Sequence, residues 1–248
     1  MTAPLLVEFF DALPEDALQG VEDLPADRQA MNPATNSAPK ATGGKAKRRA
    51  ALHLFNQKVR EKYTEGTLMR LAQADNLQIR KSAVFALGQV GTLAANQVLA
   101  RILHDDDSDV ADVASAALWR VWFRGDDTTA SDELYRIVRL RDAEQAILAL
   151  DALLAKADSF AEAYNQRAIL MYRTGKFDRA AKDCARVIKL NPHHFGAQAG
   201  MGQCLLRLRR QPAALKAFRQ ALRINPRLDG VAATVRALEN ALGGEEGR

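Results

Sequence analysis

A period of 34 residues governs the C-terminal half of this chain. Residues 161–194 read AEAYNQRAILMYRTGKFDRAAKDCARVIKLNPHH, and residues 195–228 repeat the pattern. Ala180 recurs as Ala214, Pro192 as Pro226, Arg173 as Arg207, Lys182 as Lys216 and Lys189 as Arg223. A fixed period with small residues and a closing proline at set positions signals stacked helix–turn–helix units. Two antiparallel helices need a small side chain where their axes come closest; the spacing assigns that role to Ala168 with Ala180 and to Gly202 with Ala214. Gly175 supplies the turn between the helices of the first unit. Asn191-Pro192 and Asn225-Pro226 end the second helix of each unit, because the residue before proline is pushed out of the helical region.

The chain resembles the tetratricopeptide repeat family over these residues. That family places an aromatic at repeat position 4, a small residue at 8, an aromatic or large apolar residue at 11, alanine at 20, apolar residues at 24 and 27, and proline at 32. The first unit supplies Tyr164, Ala168, Met171, Ala180, Cys184, Val187 and Pro192; the second supplies Gln198, Gly202, Leu205, Ala214, Phe218, Ala221 and Pro226. Arg167 at position 7 and Gln198 at position 4 depart from the pattern. Residues 128–158 fit the same register as a degenerate unit, with Leu134, Ile137, Ala146, Leu150 and Leu153 in core positions and Asp158 where proline would stand. Residues 229–242 read as a capping helix, with a tail over 243–248.

A second period, near 31 residues, runs through the preceding segment. Ile79, Ala83, Ala86 and Leu87 recur as Val110, Ala114, Ala117 and Leu118, and Leu68 and Leu71 recur as Leu99 and Ile102. Asp75-Asn76 and Asp106-Asp107-Ser108 stand ahead of the core helices as N-caps. The pattern is similar to the short bacterial HEAT repeat, as found in phycobilin lyases; Arg80 matches that family's arginine, and its second counterpart is Ala111. Trp119, Trp122 and Phe123 end the block as an apolar seal.

The fold class expected is therefore all-α: an α-solenoid of HEAT-like repeats over 47–125, then tetratricopeptide helix–turn–helix repeats over 126–242, behind a disordered acidic arm and linker over 1–46. In the arm, Glu8, Asp11, Glu15, Asp16, Glu22, Asp23 and Asp27 face Arg28 alone, with Leu5, Leu6, Phe9 and Phe10 among them. Residues 31–46, MNPATNSAPKATGGKA, have linker composition. Lys45, Lys47, Arg48 and Arg49 read as the solvated start of a helix.

Few features suggest chemistry. Cys184 and Cys204 fall at core positions and read as buried apolar thiols. His193 and His194 sit in the turn after Pro192, where a turn role outweighs a metal role. Asp105 to Asp109 lack the glycine and distal glutamate of a calcium loop. No nucleophile motif or phosphate loop is present, so no enzyme activity and no cofactor is expected. The start of the chain lacks the basic flank of a signal peptide, and no apolar run approaches a membrane span; a cytoplasmic protein is expected.

Surface is what remains. The resemblance implies a concave groove lined by the first helix of each unit, here Asn165, Ile169, Tyr172 and Arg173, then Gly196, Ala199, Gln203, Leu206 and Arg207. Gly196 and Gly200 read as room for a bulky group. The carboxylate clamp of co-chaperones would need lysine at position 5 and asparagine at position 9, and Asn165 and Ile169 do not supply it. Residues 161–228 carry fourteen Lys and Arg against three acids, a net of +11, where the whole chain has +5. Arg179, Lys182, Arg186 and Lys189 share one helix face, as do Lys216, Arg219 and Arg223. The function expected is a non-enzymatic adaptor that binds an acidic protein or peptide through the groove at Asn165, Ile169, Tyr172, Arg173, Gln203, Leu206 and Arg207. The alternative is a nucleic-acid-associated protein using the basic convex face. Residues 1–28, with a net of −6, are expected to compete by docking on the basic tetratricopeptide surface, with Leu5, Leu6, Phe9 and Phe10 as anchors.

Overall fold

The computed structural model describes residues 4–14, 17 and 45–245. All regular structure among them is helical, and the chain divides at Asp126 into two units.

The first unit holds α1 (Pro4–Asp11), α2 (Lys45–Lys62), α3 (Glu65–Leu71), α4 (Leu77–Val90), a 3-10 turn at Leu93–Ala95, α5 (Asn96–Ile102) and α6 (Ser108–Arg124). Its centre is the pair α4 and α6. Ala83, Ala86 and Leu87 from one, and Val110, Ala114, Ala117 and Leu118 from the other, are fully buried, as the 31-residue period requires. The expected caps are in place: Asn76 Oδ1 accepts from Ile79 N at 3.1 Å and Asp107 Oδ1 from Val110 N at 3.0 Å. At the far end of α4 the Arg124 guanidinium donates to the carbonyls of Gly88, Gln89 and Gly91. A cation there satisfies the carbonyls left open at a helix C-terminus and complements their partial negative charge. Arg80 reaches Asp105 with Nε at 2.6 Å from Oδ2 and Nη2 at 3.1 Å from Oδ1. Burial pushes the Asp105 carboxyl up, but the bonds from Arg80 and the Asp107 amide outweigh it and hold it below its ordinary value. Trp119 and Trp122 meet edge to face at 5.0 Å, and Trp122 Nε1 donates to Asn96 Oδ1 at 2.8 Å.

The arm is where the structure departs from expectation. Residues 4–11 are helical, and α1 packs on α4 and α2. Leu6 is fully buried and Phe10 nearly so, and Phe10 meets Phe85 edge to face at 5.4 Å, as Phe55 does from α2. Phe9 lies beneath Lys58 Nζ, 5.1 Å from its centroid. Two of the four residues expected to anchor the arm on the tetratricopeptide surface are thus spent inside the first unit, while Leu5 is exposed and Phe9 half-buried: Leu6 and Phe10 stand four apart, one helical turn, and pack in the first unit with Phe10 against Phe85. The stretch 18–44, which holds most of the expected linker, lies outside the described residues.

The second unit holds α7 (Thr128–Ile137), α8 (Ala143–Lys156), α9 (Ala161–Arg173), α10 (Phe177–Leu190), α11 (Phe195–Arg207), α12 (Gln211–Ile224) and α13 (Asp229–Glu245). Each packs on the next, and α9 also touches α11. Ala168, Ala180 and Ala214 are fully buried, and a Cβ added to Gly202 would lie 2.6 Å from the Phe218 ring. The repeat extends to individual hydrogen bonds. Asn191 Oδ1 accepts from His193 N and Asn225 Oδ1 from Arg227 N, so both Asn-Pro stops are closed by the same side-chain turn. Lys176 N donates to Met171 O and Arg210 N to Leu205 O, each at 2.8 Å, closing both inter-helix turns alike. The residue at the tip of that turn is left-handed in both units: Gly175 has φ 77° and Arg209 has φ 58°. Glycine adopts this conformation freely and arginine does not. Arg209→Gly should therefore raise the stability of the second unit by about 1 kcal/mol, read as a higher urea midpoint at unchanged slope; a lower midpoint would show that the Arg209 side chain matters more than its backbone.

Candidate functional site

Three polar arrangements in the second unit decide what its surface can do. The first is internal. Glu162, in the first turn of α9, and His194, the N-cap of α11, are both fully buried, with Nε2 and Oε2 at 3.0 Å. Glu162 Oε1 also accepts from Asn165 Nδ2 at 3.0 Å and Gln166 Nε2 at 2.7 Å. His194 Nδ1 accepts from Ala197 N at 3.0 Å. With Nδ1 used as an acceptor, the ring proton lies on Nε2 and points at the carboxylate. A buried carboxylate is tolerated when hydrogen bonds replace its water, and here three donors do so. The expected turn role of His194 is correct, and it extends further: the ring joins the start of α9 to the start of α11.

The second arrangement braces the flanking helices. Arg167 donates Nε to Asp183 Oδ2 at 2.7 Å, Nη2 to Asp183 Oδ1 at 2.8 Å, and Nη1 to Asp151 Oδ1 at 2.6 Å. One guanidinium on α9 thereby ties α8 to α10. The bonds to Asp183, against the cost of burial, hold Arg167 above its ordinary pKa. Its departure from the repeat pattern is explained by this contact.

The third is exposed and lies where α9 and α11 end and α10 begins. Tyr172 and Phe177 meet edge to face at 5.4 Å. The Arg207 guanidinium carbon lies over both rings, 4.5 Å from the Phe177 centroid and 5.8 Å from that of Tyr172. Arg207 makes no hydrogen bond or ion pair among the described residues. Arg173 is exposed beside Tyr172, and Gln203 and Leu206 are half-buried on the same stretch of α11.

The expected groove residues therefore separate into two sets. Tyr172, Arg173, Gln203, Leu206 and Arg207 reach the surface, and Tyr172 and Arg207 meet through Phe177, which the groove reading had not included. An aromatic two residues after the turn glycine was the available signal. Asn165 and Ile169 are buried, and the Asn165 amide is committed to Glu162. The expected floor of small residues is not open either: Gly196, Ala199 and Gly200 are buried, because α11 lies between α10 and α12 and against α9. Small residues there mark close approach of helices rather than vacancy.

One cation of the basic faces is paired with an acid and another is held by a backbone carbonyl. Arg186 donates to the Asp158 carbonyl at 3.3 Å and Arg219 pairs with Glu239 at 2.7 Å. Arg179, Lys182, Lys189, Lys216 and Arg223 are exposed and carry no ion pair among the described residues. Cys184 and Cys204 are buried and free. A hydrogen bond that the Cys184 thiol donates to Cys204, together with burial, pushes the Cys184 thiol well above its ordinary value, so it stays protonated and unreactive. Among the described residues no three potential metal ligands cluster, and no helix is long and apolar enough to cross a membrane.

Stacked antiparallel helix pairs with internal polar seams and an exposed aromatic–cation edge define a helical-repeat protein of the kind that presents surface. Comparison with known families gives the particulars: residues 138–189 and 165–228 match the tetratricopeptide repeat, and residues 42–119 match HEAT repeats. The chain thus carries a stretch similar to tetratricopeptide repeats behind a stretch similar to HEAT repeats. It is 34% identical over 77 residues to a TPR repeat-containing protein of Rhizobium etli, a match that spans 31% of this chain and 38% of that relative. No solved structure matches the chain significantly. Repeats of both families are generally non-catalytic scaffolds, and tetratricopeptide repeats typically bind other proteins.

Proposed function

We propose that this protein is a non-enzymatic adaptor that binds an acidic protein or peptide at the edge formed by Tyr172, Arg173, Phe177, Gln203, Leu206 and Arg207. The observation that carries the reading is the contact of two rings with a guanidinium at the surface of the second unit, 4.5 Å and 5.8 Å from the ring centroids. Aromatic residues and arginine are the side chains that most often dominate protein interfaces. The net charge of +11 over residues 161–228 favours an acidic partner and speeds encounter with it.

The test is capture from lysate on the immobilised full chain, before and after Tyr172 and Arg173 are both changed to alanine. Neither residue is in the core, so the variant stays folded by circular dichroism, and its captured proteins are expected to disappear. Retention of the same proteins by the folded variant would move the site elsewhere. A second reading, nucleic-acid association, is supported by the five exposed cations without ion pairs on α10 and α12. It expects capture to vanish on nuclease treatment and to fall steeply with salt; the adaptor reading expects nuclease to change nothing.

A further inference from the structure

We infer that Arg207 is the anion anchor of this edge and that it takes a carboxylate from an acidic residue of the partner, with an apolar residue beside that acid resting on Leu206 and Tyr172. This rests on the adaptor reading and names the partner chemistry. Three observations lead to it. First, the guanidinium is already positioned: its carbon lies over Phe177 at 4.5 Å and over Tyr172 at 5.8 Å, within the range where a cation is held by a ring face. Second, its donors are unspent among the described residues, in contrast to the arginines of the same unit that have acid partners, Arg167 with Asp183 and Arg219 with Glu239. Third, the rings are themselves fixed, edge to face at 5.4 Å, with Phe177 on the first turn of α10.

A guanidinium resting on a ring keeps its edge N–H groups directed outward in its own plane. That fork matches the two coplanar oxygens of a carboxylate, whereas a lysine ammonium offers a point charge without a plane. The rings also lower the entropy cost of binding, because a long side chain that is already placed loses little freedom when the anion arrives. Half-buried Leu206, on the same helix turn, gives the neighbouring residue of the peptide an apolar contact.

The experiment uses an array of 12-residue synthetic peptides, each with one Asp or Glu flanked by Leu or Phe, beside its Asn or Gln counterpart and a phosphoserine counterpart. The array is read with labelled full-length protein. The wild type is expected to capture the acidic members and not the amides. R207K keeps the charge but not the fork and is expected to bind about tenfold more weakly. R207M is expected to lose the distinction between acid and amide. Equal binding by R207K and wild type would overturn the inference, as would capture of phosphopeptides alone or of no peptide at all. If captured peptides are lost on Leu206→Asp or Tyr172→Ala yet show no preference for acid over amide, the adaptor site stands and the anion anchor falls. If capture survives both of those changes, the site itself is misplaced and the inference falls with it.

Discussion

His194→Phe is expected to cost the second unit about 3–5 kcal/mol, a large part of the 5–15 kcal/mol by which domains are stable. Phenylalanine fills the same space but does two things to the seam. It removes the acceptor for Ala197 N, leaving α11 without its side-chain cap. It also removes the donor to Glu162, leaving a fully buried carboxylate on the two amides of Asn165 and Gln166. The second effect dominates, since an under-solvated buried charge costs more than a missing cap. Urea unfolding followed by far-ultraviolet circular dichroism measures the loss. The double variant His194→Phe with Glu162→Leu should recover part of it, because the stranded charge is gone, and the two single losses should not add. A loss below about 1 kcal/mol for His194→Phe would mean that the seam is not held as described.

Arg167→Leu is the second large effect, expected at about 2–4 kcal/mol. The Asp183 side chain is only 10% exposed and would lose both of its bonds to the guanidinium, whereas Asp151 is 45% exposed and would be re-solvated. That asymmetry gives an ordered expectation. Asp183→Ala should approach the cost of Arg167→Leu, while Asp151→Ala should cost no more than about 1 kcal/mol, as exposed pairs do. The same urea midpoints decide it. Equal losses for the two aspartate variants would show that the pair with Asp183 is no more buried than the pair with Asp151.

Arg167 also shows where the sequence is legible and where it is not. A 34-residue period compares like positions in successive units, so it finds Ala168, Ala180, Gly202 and Ala214, the Asn-Pro stops and the turn glycine. It is blind to partners at unlike positions. Asp151 and Asp183 each stand sixteen residues from Arg167, one on the helix before and one on the helix after. Read by period, Arg167 is an exception; in space it is a brace. The same blindness hid the bond between Glu162 and His194, which joins position 2 of one unit to its position 34. The expected disorder of residues 4–11 gives way to a helix for a different reason. The arm's acids dominated the composition and suggested attraction to a basic surface, but the pair Leu6 and Phe10 is a helical signal, and apolar burial over Phe85 outweighs exposed charge pairs that salt screens. At the candidate site, charge and aromatic positions could be read off the chain. Which of them reach solvent could not, because burial of α11 depends on the helices on either side.

The polar seam carries a consequence for how such a chain can lengthen or shorten. Tandem repeats grow by copying a unit, and a copy works only if its junctions match. The unit 161–194 begins with Glu162 and closes with His194; the unit 195–228 has Gly196 and Leu228 at those places. Leu228 is fully buried, so the junction to α13 is apolar where the preceding one is polar. The two units are therefore not interchangeable modules. A duplicated 195–228 would bring a leucine to its junction with another Gly196 and build an apolar joint. A duplicated 161–194 would carry its own Glu162 and its own His194 and reproduce the polar one. Exchanging the order of the two would carry Glu162 and His194 along together, so that the polar joint came last, next to α13, and the apolar one before it.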